Sequence, residues 1–293
     1  MIKEHLDNLV KYATSERFAD EVILAKKEYQ SIAGELFVDD KSYDNRMTAF
    51  LEWYTFDRLL SNQTIVPIEL FIDENRNTIP ADQLAIYEGF VTTIHGIFIL
   101  KKIKNDQVVI YNLFDDNDYT VAEQDGNIFF HKNDIFEGRL LSLSGRHYFT
   151  GIFTYHPQDA LKFIKSEAKK IIAEKKHSEK TLKSMYSELE SIESKLSKAN
   201  AEIEKMKMKV EKSGPISTSS SLEFKLSEQL GKGLELEKQR NLLQKQISDW
   251  NLKVLKIACR QSREQLIQRL AYMNLKWERS RNIALKDIYK SNA

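Results

Sequence analysis

The chain has 293 residues, 42% of them hydrophobic, and a formal net charge of +1, which is typical of a protein with about two domains and a sizeable core. Its single cysteine, Cys259, excludes an internal disulfide and a thiolate zinc site within one chain. No window approaches the ~20 consecutive apolar residues of a membrane span, and the first residues lack a signal-peptide pattern. We therefore expect a cytoplasmic protein that does not enter a membrane.

Charge is divided unequally along the chain. Residues 1–159 hold 15 Lys and Arg against 26 Asp and Glu, a balance of −11. Residues 160–293 hold the remaining 29 Lys and Arg against 17 Asp and Glu, a balance of +12. The sequence thus joins an acidic half to a basic half.

The first ninety residues have a helical pattern. Apolar residues recur at steps of three and four, and Pro67 and Pro80 suit the first turns of two helices. We predict an all-helical cluster over residues 1–92.

Within this cluster, the stretch FLEWYTFDR is rich in aromatic residues. On a helix, Phe50, Trp53 and Tyr54 share one face, and aromatic residues at that spacing are typical of a structural core. We therefore predict that these three residues are core residues joining the helices to the next region. The alternative places Asp57 and Arg58 at the rim of a cleft.

Residues 93–156 change to a period of two. The runs HGIFILKKI, QVVIYNLF, DYTVAE, DIFEGRLLSLS and RHYFTGIFTY alternate in character, are rich in β-branched and aromatic residues, and are separated by turn-forming residues. We predict a five-stranded antiparallel meander that closes into a small β barrel or a curled sheet.

Residues 157–293 have the pattern of a coiled coil. From Leu161 to Val210 apolar residues alternate at steps of three and four, with two polar interruptions, and heptads resume after the Ser-rich stretch 213–221. After Ile257 the phase of the repeat shifts. We predict an antiparallel helical hairpin with its turn at 213–221; a parallel dimer interrupted at the same stretch is the alternative. The predicted fold class is therefore α+β: a helical cluster, a small barrel, and a long coiled-coil hairpin.

Motifs for catalysis, cofactors or metals are absent from the sequence. Four histidines, His95, His131, His147 and His156, fall in the strand region without a spacing that fixes a metal geometry. No phosphate-binding loop and no nucleophile elbow is present. We therefore expect no metal, no cofactor and no enzymatic activity.

Two sets of residues in the C-terminal half are candidates for binding a partner. The first is a basic stripe at helical spacing, formed by Lys253, Lys256, Arg260 and Arg263. The second comprises apolar residues near the predicted turn, namely Val210, Leu222, Phe224 and Leu226.

These features predict an adaptor or structural protein. Its coiled coil would bind a protein partner or mediate self-association. The alternative is nucleic-acid binding, in which the basic residues follow phosphates and strand aromatics such as Phe129, Phe130, Tyr148 and Phe149 stack on bases. The acidic balance of the first half argues against that alternative.

Residues 40–155 resemble an uncharacterised bacterial domain that is found in larger chains. The resemblance rests on FLEWYTFDR, on the following TIVPIELF, and on KNDIFEGRLLSLSGRHYFTGIF. It implies no activity that could be assigned to this chain.

Overall fold

The computed structural model describes residues 2–61, 63–104, 107–122, 130–212, 219–280 and 282–291. The chain forms two compact units. The first comprises residues 1–172 together with residues 261–293, and the second comprises residues 173–260. Among the described residues, no helix combines the length and the apolar character that crossing a membrane requires.

Five helices open the first unit: α1 (Ile2–Ala13), α2 (Ala19–Ala33), α3 (Tyr43–Phe56), α4 (Pro67–Asn75) and α5 (Ala81–Val91). The start of α4 follows from its sequence, because Pro67 occupies the first turn and the Glu69 carboxylate accepts a 3.1 Å hydrogen bond from the Val66 N–H. Apolar residues of α1, α4 and α5 pack together in one core cluster, to which Leu141 of the following sheet contributes.

Six strands follow: β1 (Ile94–Lys104), β2 (Gln107–Asn112), β3 (Asp118–Ala122), β4 (Ile135–Leu143), β5 (Arg146–Phe149) and β6 (Thr154–His156). They form one mixed sheet in the order β1-β2-β3-β5-β4-β6, and β1 also pairs with β4. The central strand β4 is buried on both faces over most of its length. Phe98, Leu100, Phe136 and Leu140 fill one face, and Ile97 and Ile135 pack on the other.

The prediction of five antiparallel strands was wrong in two respects. The run RHYFTGIFTY forms two strands instead of one, because Gly151 adopts a φ of 97° and interrupts the extended backbone. In addition, β3 and β5 pair in parallel at Val121 and His147. The sheet is therefore mixed and is not the clean antiparallel barrel that was one of the two predicted forms; the pairing of Val121 with His147 links β3 to β5.

The first unit is completed by the beginning of a long helix and by the C-terminal residues. Helix α6 (Leu161–Lys212) starts in this unit, and α8 (Cys259–Arg279) and α9 (Leu285–Ile288) end the chain within it. Ile164 and Ala168 of α6 pack with Leu266 and Leu270 of α8 and with Ile97 of the sheet.

The second unit contains the rest of α6, helix α7 (Ser219–Asp249) and a π-helix (Trp250–Ala258). The indole N–H of Trp250 donates a 3.1 Å hydrogen bond to the Ser178 carbonyl, and a Cβ on Gly233 would lie 3.3 Å from Ile203. These contacts join α6 to the π-helix and to α7 within one chain. Of the predicted turn 213–221, residues 213–218 lie outside the described residues.

The phase shift seen after Ile257 in the sequence occurs next to the π-helix. A π-helix has more residues per turn than an α-helix, so the apolar positions before and after it cannot keep one register.

Candidate functional site

A cluster of charged side chains is buried where the sheet meets α3 and α8, within the first unit. This charge cluster consists of Glu52 and Asp57 at the end of α3, His95 on β1, Glu137 and Arg139 on β4, and Glu264 on α8. The strand register explains part of the grouping. His95 lies opposite Arg139, and Glu137 is two residues further along β4, so all three side chains leave the same face of the sheet.

Arg139 is the main cation of the charge cluster. Its guanidinium donates a hydrogen bond to the Asp57 carboxylate and a second one, of 2.9 Å, to the Thr93 hydroxyl. Its Nε lies 3.5 Å from a carboxylate oxygen of Glu52. Arg139 therefore joins β4 to the end of α3 through ion pairs that are shielded from water.

His95 contacts acidic side chains through both ring nitrogens. Nδ1 lies 2.6 Å from Oε2 of Glu264 and 3.9 Å from Oδ2 of Asp57, whereas Nε2 lies 3.3 Å from Oε1 of Glu137. The second oxygen of Glu264 accepts hydrogen bonds of 2.9 and 3.1 Å from Arg263. Oε2 of Glu137 is buried and has no hydrogen-bond partner among the described residues.

These contacts shift the pKa values of the buried groups. Burial lowers the pKa of His95, but the charge of Glu264 and the hydrogen bonds to Glu137 and Glu264 outweigh burial and raise it to about 9. Burial raises the pKa of Glu264, but the charges of His95 and Arg263 outweigh it, so the net pKa lies well below its usual range. For Glu52, burial dominates and raises the pKa.

A cleft of about 470 Å³ opens beside the charge cluster. Asp57 and Glu264 line it, as do Trp53 of α3 and Arg58, which follows the C-terminal end of α3. Arg58 is held in place by hydrogen bonds of 2.6 to 3.0 Å to Glu21 and Glu28 of α2. The cleft therefore lies against two acidic residues of the charge cluster that are themselves buried.

Asp57, His95 and Glu264 have the side chains and the spacing of a metal site. One potential ligand atom from each residue lies within 4.8 Å of the others, and all three residues are buried. Imidazole nitrogen and carboxylate oxygen are common ligands of divalent transition metals. The three residues are far apart in the sequence, and their spacing does not predict a metal site.

The three aromatic residues that were predicted as core lie on α3. Phe50 and Tyr54 are buried and Trp53 is half-buried, and all three pack in a cluster with Tyr29 of α2. Contacts between this part of the chain and the sheet include the neighbouring Phe56, which lies in one core cluster with Leu141, and the ion pairs of Glu52 and Asp57 with Arg139.

The predicted partner-binding residues lie in several environments. Arg263 is occupied by its hydrogen bonds to Glu264, and Lys253 lies 3.4 Å from Asp249. Lys256 is exposed and Arg260 is half-buried. Of the apolar set, Val210, Leu222 and Leu226 are half-buried, whereas 71% of Phe224 is exposed.

The strand aromatics proposed for base stacking lie in different environments. Phe130 is buried and packs against Phe136 and Phe149, at centroid distances of 4.9 and 5.6 Å. Tyr148 is half-buried, and Phe129 lies outside the described residues. Stacking requires exposed ring faces, so the buried Phe130 is not available for it.

A second, larger cavity of about 1110 Å³ lies between α1, α3 and the end of the sheet. Its walls are mainly apolar, with Leu6 and Val10 of α1 facing Leu51 of α3 and Tyr148 of β5. Ala122 also lines the cavity and is the last described residue before position 130.

The fold and the charge cluster define an α+β protein with a buried ionic network beside a cleft. A family model described as "Family of unknown function (DUF7986)" matches residues 3–189. The match covers more than half of the chain, so the protein belongs to this family, and the resemblance of residues 40–155 to an uncharacterised domain is confirmed. Neither the curated proteins nor the solved structures contained a match. Most of the charge cluster lies inside the matched segment, whereas Arg263, Glu264 and α7 lie outside it.

Proposed function

We propose that the protein is a non-catalytic interaction protein that binds a protein partner through helices of residues 173–260. In this proposal α6 and α7 form an antiparallel coiled-coil hairpin, and the exposed side of α7 receives the partner. The observation that carries the proposal is a row of exposed apolar residues on α7.

The hairpin is supported by an apolar seam between the two helices. Ile192 of α6 packs with Leu243 and Ile247 of α7, and Leu182, Met185, Leu189 and Leu236 extend this cluster. A seam of this kind satisfies the apolar repeat of both helices within one chain. The outer side of α7 is then left for another molecule.

The exposed residues form a second apolar side. We define the outer face of α7 as Phe224, Leu230, Leu234 and Leu242, which are 71%, 40%, 60% and 59% exposed. At about 100° per residue, Leu230, Leu234 and Leu242 lie within an arc of roughly 120°, on the opposite side of the helix from Leu243 and Ile247. Exposed leucines at this spacing are typical anchors for a helix laid along them.

The charges on this side of α7 indicate what kind of partner fits. Between Phe224 and Lys245, the exposed cations Lys238 and Lys245 lie within the arc of the outer face, and Glu235 and Glu237 lie about 20° beyond its two edges. A second copy of α7 would bring these lysines together. An amphipathic helix with acidic residues beside its apolar stripe would complement them, so this is the partner we propose.

The hairpin is tested by distance measurement between spin labels on exposed Lys198 and Lys238 of the full chain. In a hairpin these positions lie across the seam, so we expect a separation of about 20 Å, given an interaxial distance of about 10 Å. In one continuous helical path, about 40 residues would separate them by about 60 Å. A distance distribution centred near about 60 Å would contradict the hairpin. A short distance that is observed only in a dimer would contradict it as well.

Partner binding is tested with two synthetic amphipathic peptides that share leucine heptads and differ only in flanking residues, glutamate in one and lysine in the other. We expect the glutamate peptide to bind the full chain at least about tenfold more tightly, because its charge complements the outer face. The double variant Leu234→Glu and Leu242→Glu should lose this binding.

The control is Gln246→Glu, which adds one of these two negative charges to an exposed position of α7 beside the outer face. Equal binding by the double variant and the control would contradict the proposal, as would no binding of either peptide. A stable dimer in light scattering that only the double variant dissociates would replace the acidic helix with a second copy of the chain.

A further inference from the structure

We propose that Asp57, His95 and Glu264 bind one divalent transition-metal ion, with Zn²⁺ and Mn²⁺ as the best matches. This site is separate from the outer face of α7 and does not depend on the proposed interaction function. It is formed by three elements of the first unit that are distant in sequence, since His95 and Glu264 are 169 positions apart.

The ligand atoms are close to the arrangement that a shared ion requires. Bonds of about 2.0 to 2.2 Å to one ion place its ligands roughly 3 to 4.4 Å apart. Here the atoms lie within 4.8 Å of each other, with Nδ1 of His95 at 2.6 Å from Glu264 and at 3.9 Å from Asp57. Binding would therefore lengthen the shortest contact by at least about 0.4 Å.

Each of the three ligands is held by a second side chain, as is usual around metals. Nε2 of His95 faces the Glu137 carboxylate at 3.3 Å, which leaves Nδ1 directed at Asp57 and Glu264. The Glu264 oxygen that does not face His95 accepts two hydrogen bonds from Arg263.

Arg139 holds the Asp57 carboxylate through a hydrogen bond to Oδ2, the oxygen that also faces His95. A histidine that is flanked by one carboxylate outside the site and by two inside it matches the arrangement of carboxylate, histidine and metal found in many proteins.

The charge balance is compatible with a divalent cation once the imidazole has lost its proton, as a metal ligand must. With a neutral imidazole, the four carboxylates of the charge cluster face two guanidinium groups, those of Arg139 and Arg263. Two negative charges then remain in a region that is shielded from water, and burial of unbalanced charge is costly. The buried, unpartnered Oε2 of Glu137 is part of this excess. A divalent ion would balance it.

The cleft supplies the entry path. Asp57 and Glu264 belong both to the ligand set and to the cleft wall, so an ion can reach two ligands from solvent without unfolding of the sheet. The competing explanation is a purely ionic network in which a proton on His95, instead of a metal, offsets the carboxylates.

The experiment uses the full chain, treated with a chelator, incubated with Zn²⁺ or Mn²⁺, and desalted before the metal content is measured. We expect about one retained ion per chain and an increase in the melting temperature, because the ion binds the folded state. Wild-type protein that retains no ion after loading with either metal would overturn the proposal.

Variants locate the ion. His95→Gln and Glu264→Gln should each weaken binding by at least about tenfold, whereas His131→Gln should not. His131 is the matched control because it is an exposed histidine 3.7 Å from a carboxylate, that of Asp134. Unchanged binding by folded His95→Gln, or loss only in His131→Gln, would overturn the assignment.

Crystals of the wild-type chain soaked in Mn²⁺ give a test that does not require stable variants. An anomalous difference peak between Asp57, His95 and Glu264 would support the site. Peaks confined to surface carboxylates or to His131 would overturn it.

Discussion

Arg139 is the residue on which the charge cluster depends most. Only 1% of its surface is exposed, and it faces two carboxylates, those of Asp57 and Glu52. A buried ion pair adds little net stability compared with apolar packing, but removal of one partner leaves the other charge uncompensated. Arg139 is thus expected to be sensitive to substitution even though its pairs are not the source of the fold's stability.

We predict that Arg139→Met lowers the free energy of unfolding by about 3 to 5 kcal/mol, because Asp57 is then buried without its cation. Urea denaturation measures the change. The control is Arg76→Met, which removes an exposed arginine paired with Glu88 and should cost less than about 1 kcal/mol. Equal losses in the two variants would contradict the explanation.

His156 is a buried residue on which the stability of the protein at different pH values should depend. Its side chain is buried, with Nδ1 3.1 Å from the Tyr289 hydroxyl, and burial lowers its pKa to about 4 although the charge of Glu137 opposes this. The pKa in the unfolded chain is about 6.5. As pH falls, the unfolded state therefore takes up a proton before the folded state does. The contribution of the neutral, buried His156 to the free energy of unfolding is thus complete above about pH 6.5 and is lost as pH falls toward 4.

From about pH 7 to about pH 5 we predict that His156 accounts for a loss of roughly 2 kcal/mol, which His156→Gln should remove. Urea denaturation at both pH values measures it, and His131→Gln is the exposed control. If the difference between the two pH values is the same in wild type and in His156→Gln, the prediction fails.

Individual residues of the charge cluster could not be assigned from the sequence. Periodicity identifies residues that share one element, whereas Asp57, His95 and Glu264 come from three elements. The one relevant signal was the acidic and basic pair that ends FLEWYTFDR, which suggested a cleft at Asp57 and Arg58. The strand register that brings His95 and Arg139 together is a tertiary property.

At the scale of elements, α7 carries two adjacent leucines in opposite environments. Leu243 is 6% exposed and packs against Ile192, whereas Leu242 is 59% exposed. Because both residues are leucines at neighbouring positions of one helix, any difference in the effect of substituting them comes from packing.

We predict that Leu243→Ala lowers the stability of the helices in residues 173–260 by about 2 to 3 kcal/mol, because it leaves a cavity in the seam. Leu242→Ala should change it by less than about 0.5 kcal/mol, since an exposed side chain loses few contacts. Helix unfolding followed by circular dichroism compares the two. A larger effect at Leu242 would indicate that the outer face, and not the seam, holds the helices.

Elements with a strong local pattern were predictable, and those set by tertiary contacts were not. The alternation of apolar and polar residues identified the runs that become β1 to β4, because successive side chains of a strand point to opposite faces. The three-residue strand β6 is too short to have a pattern of its own, and it forms because it pairs with β4. The parallel pair of β3 and β5 joins segments that no turn connects directly.

At the scale of the whole molecule, the chain consists of two compact units, and the first is made from two separate parts of the sequence. A chain of this kind is not expected to unfold in a single two-state transition. Its parts should respond separately to substitutions in each core.

We predict that Arg139→Met accelerates amide hydrogen exchange in peptides of residues 1–172 and 261–293, and that Leu243→Ala does so in peptides of residues 173–260. Exchange followed by mass spectrometry distinguishes the peptides. If each substitution accelerates exchange throughout the chain to the same extent, the two units unfold as one.

The division of the first unit between two parts of the sequence affects the order of events during synthesis. A ribosome makes residues 173–260 before residues 261–293, which supply Leu266 and Leu270 to the core and Glu264 to His95. The apolar surface of Ile97, Ile164 and Ala168 therefore stays uncovered until translation is nearly finished. A nascent chain stalled before residue 261 would be a natural target for chaperones that recognise exposed apolar segments.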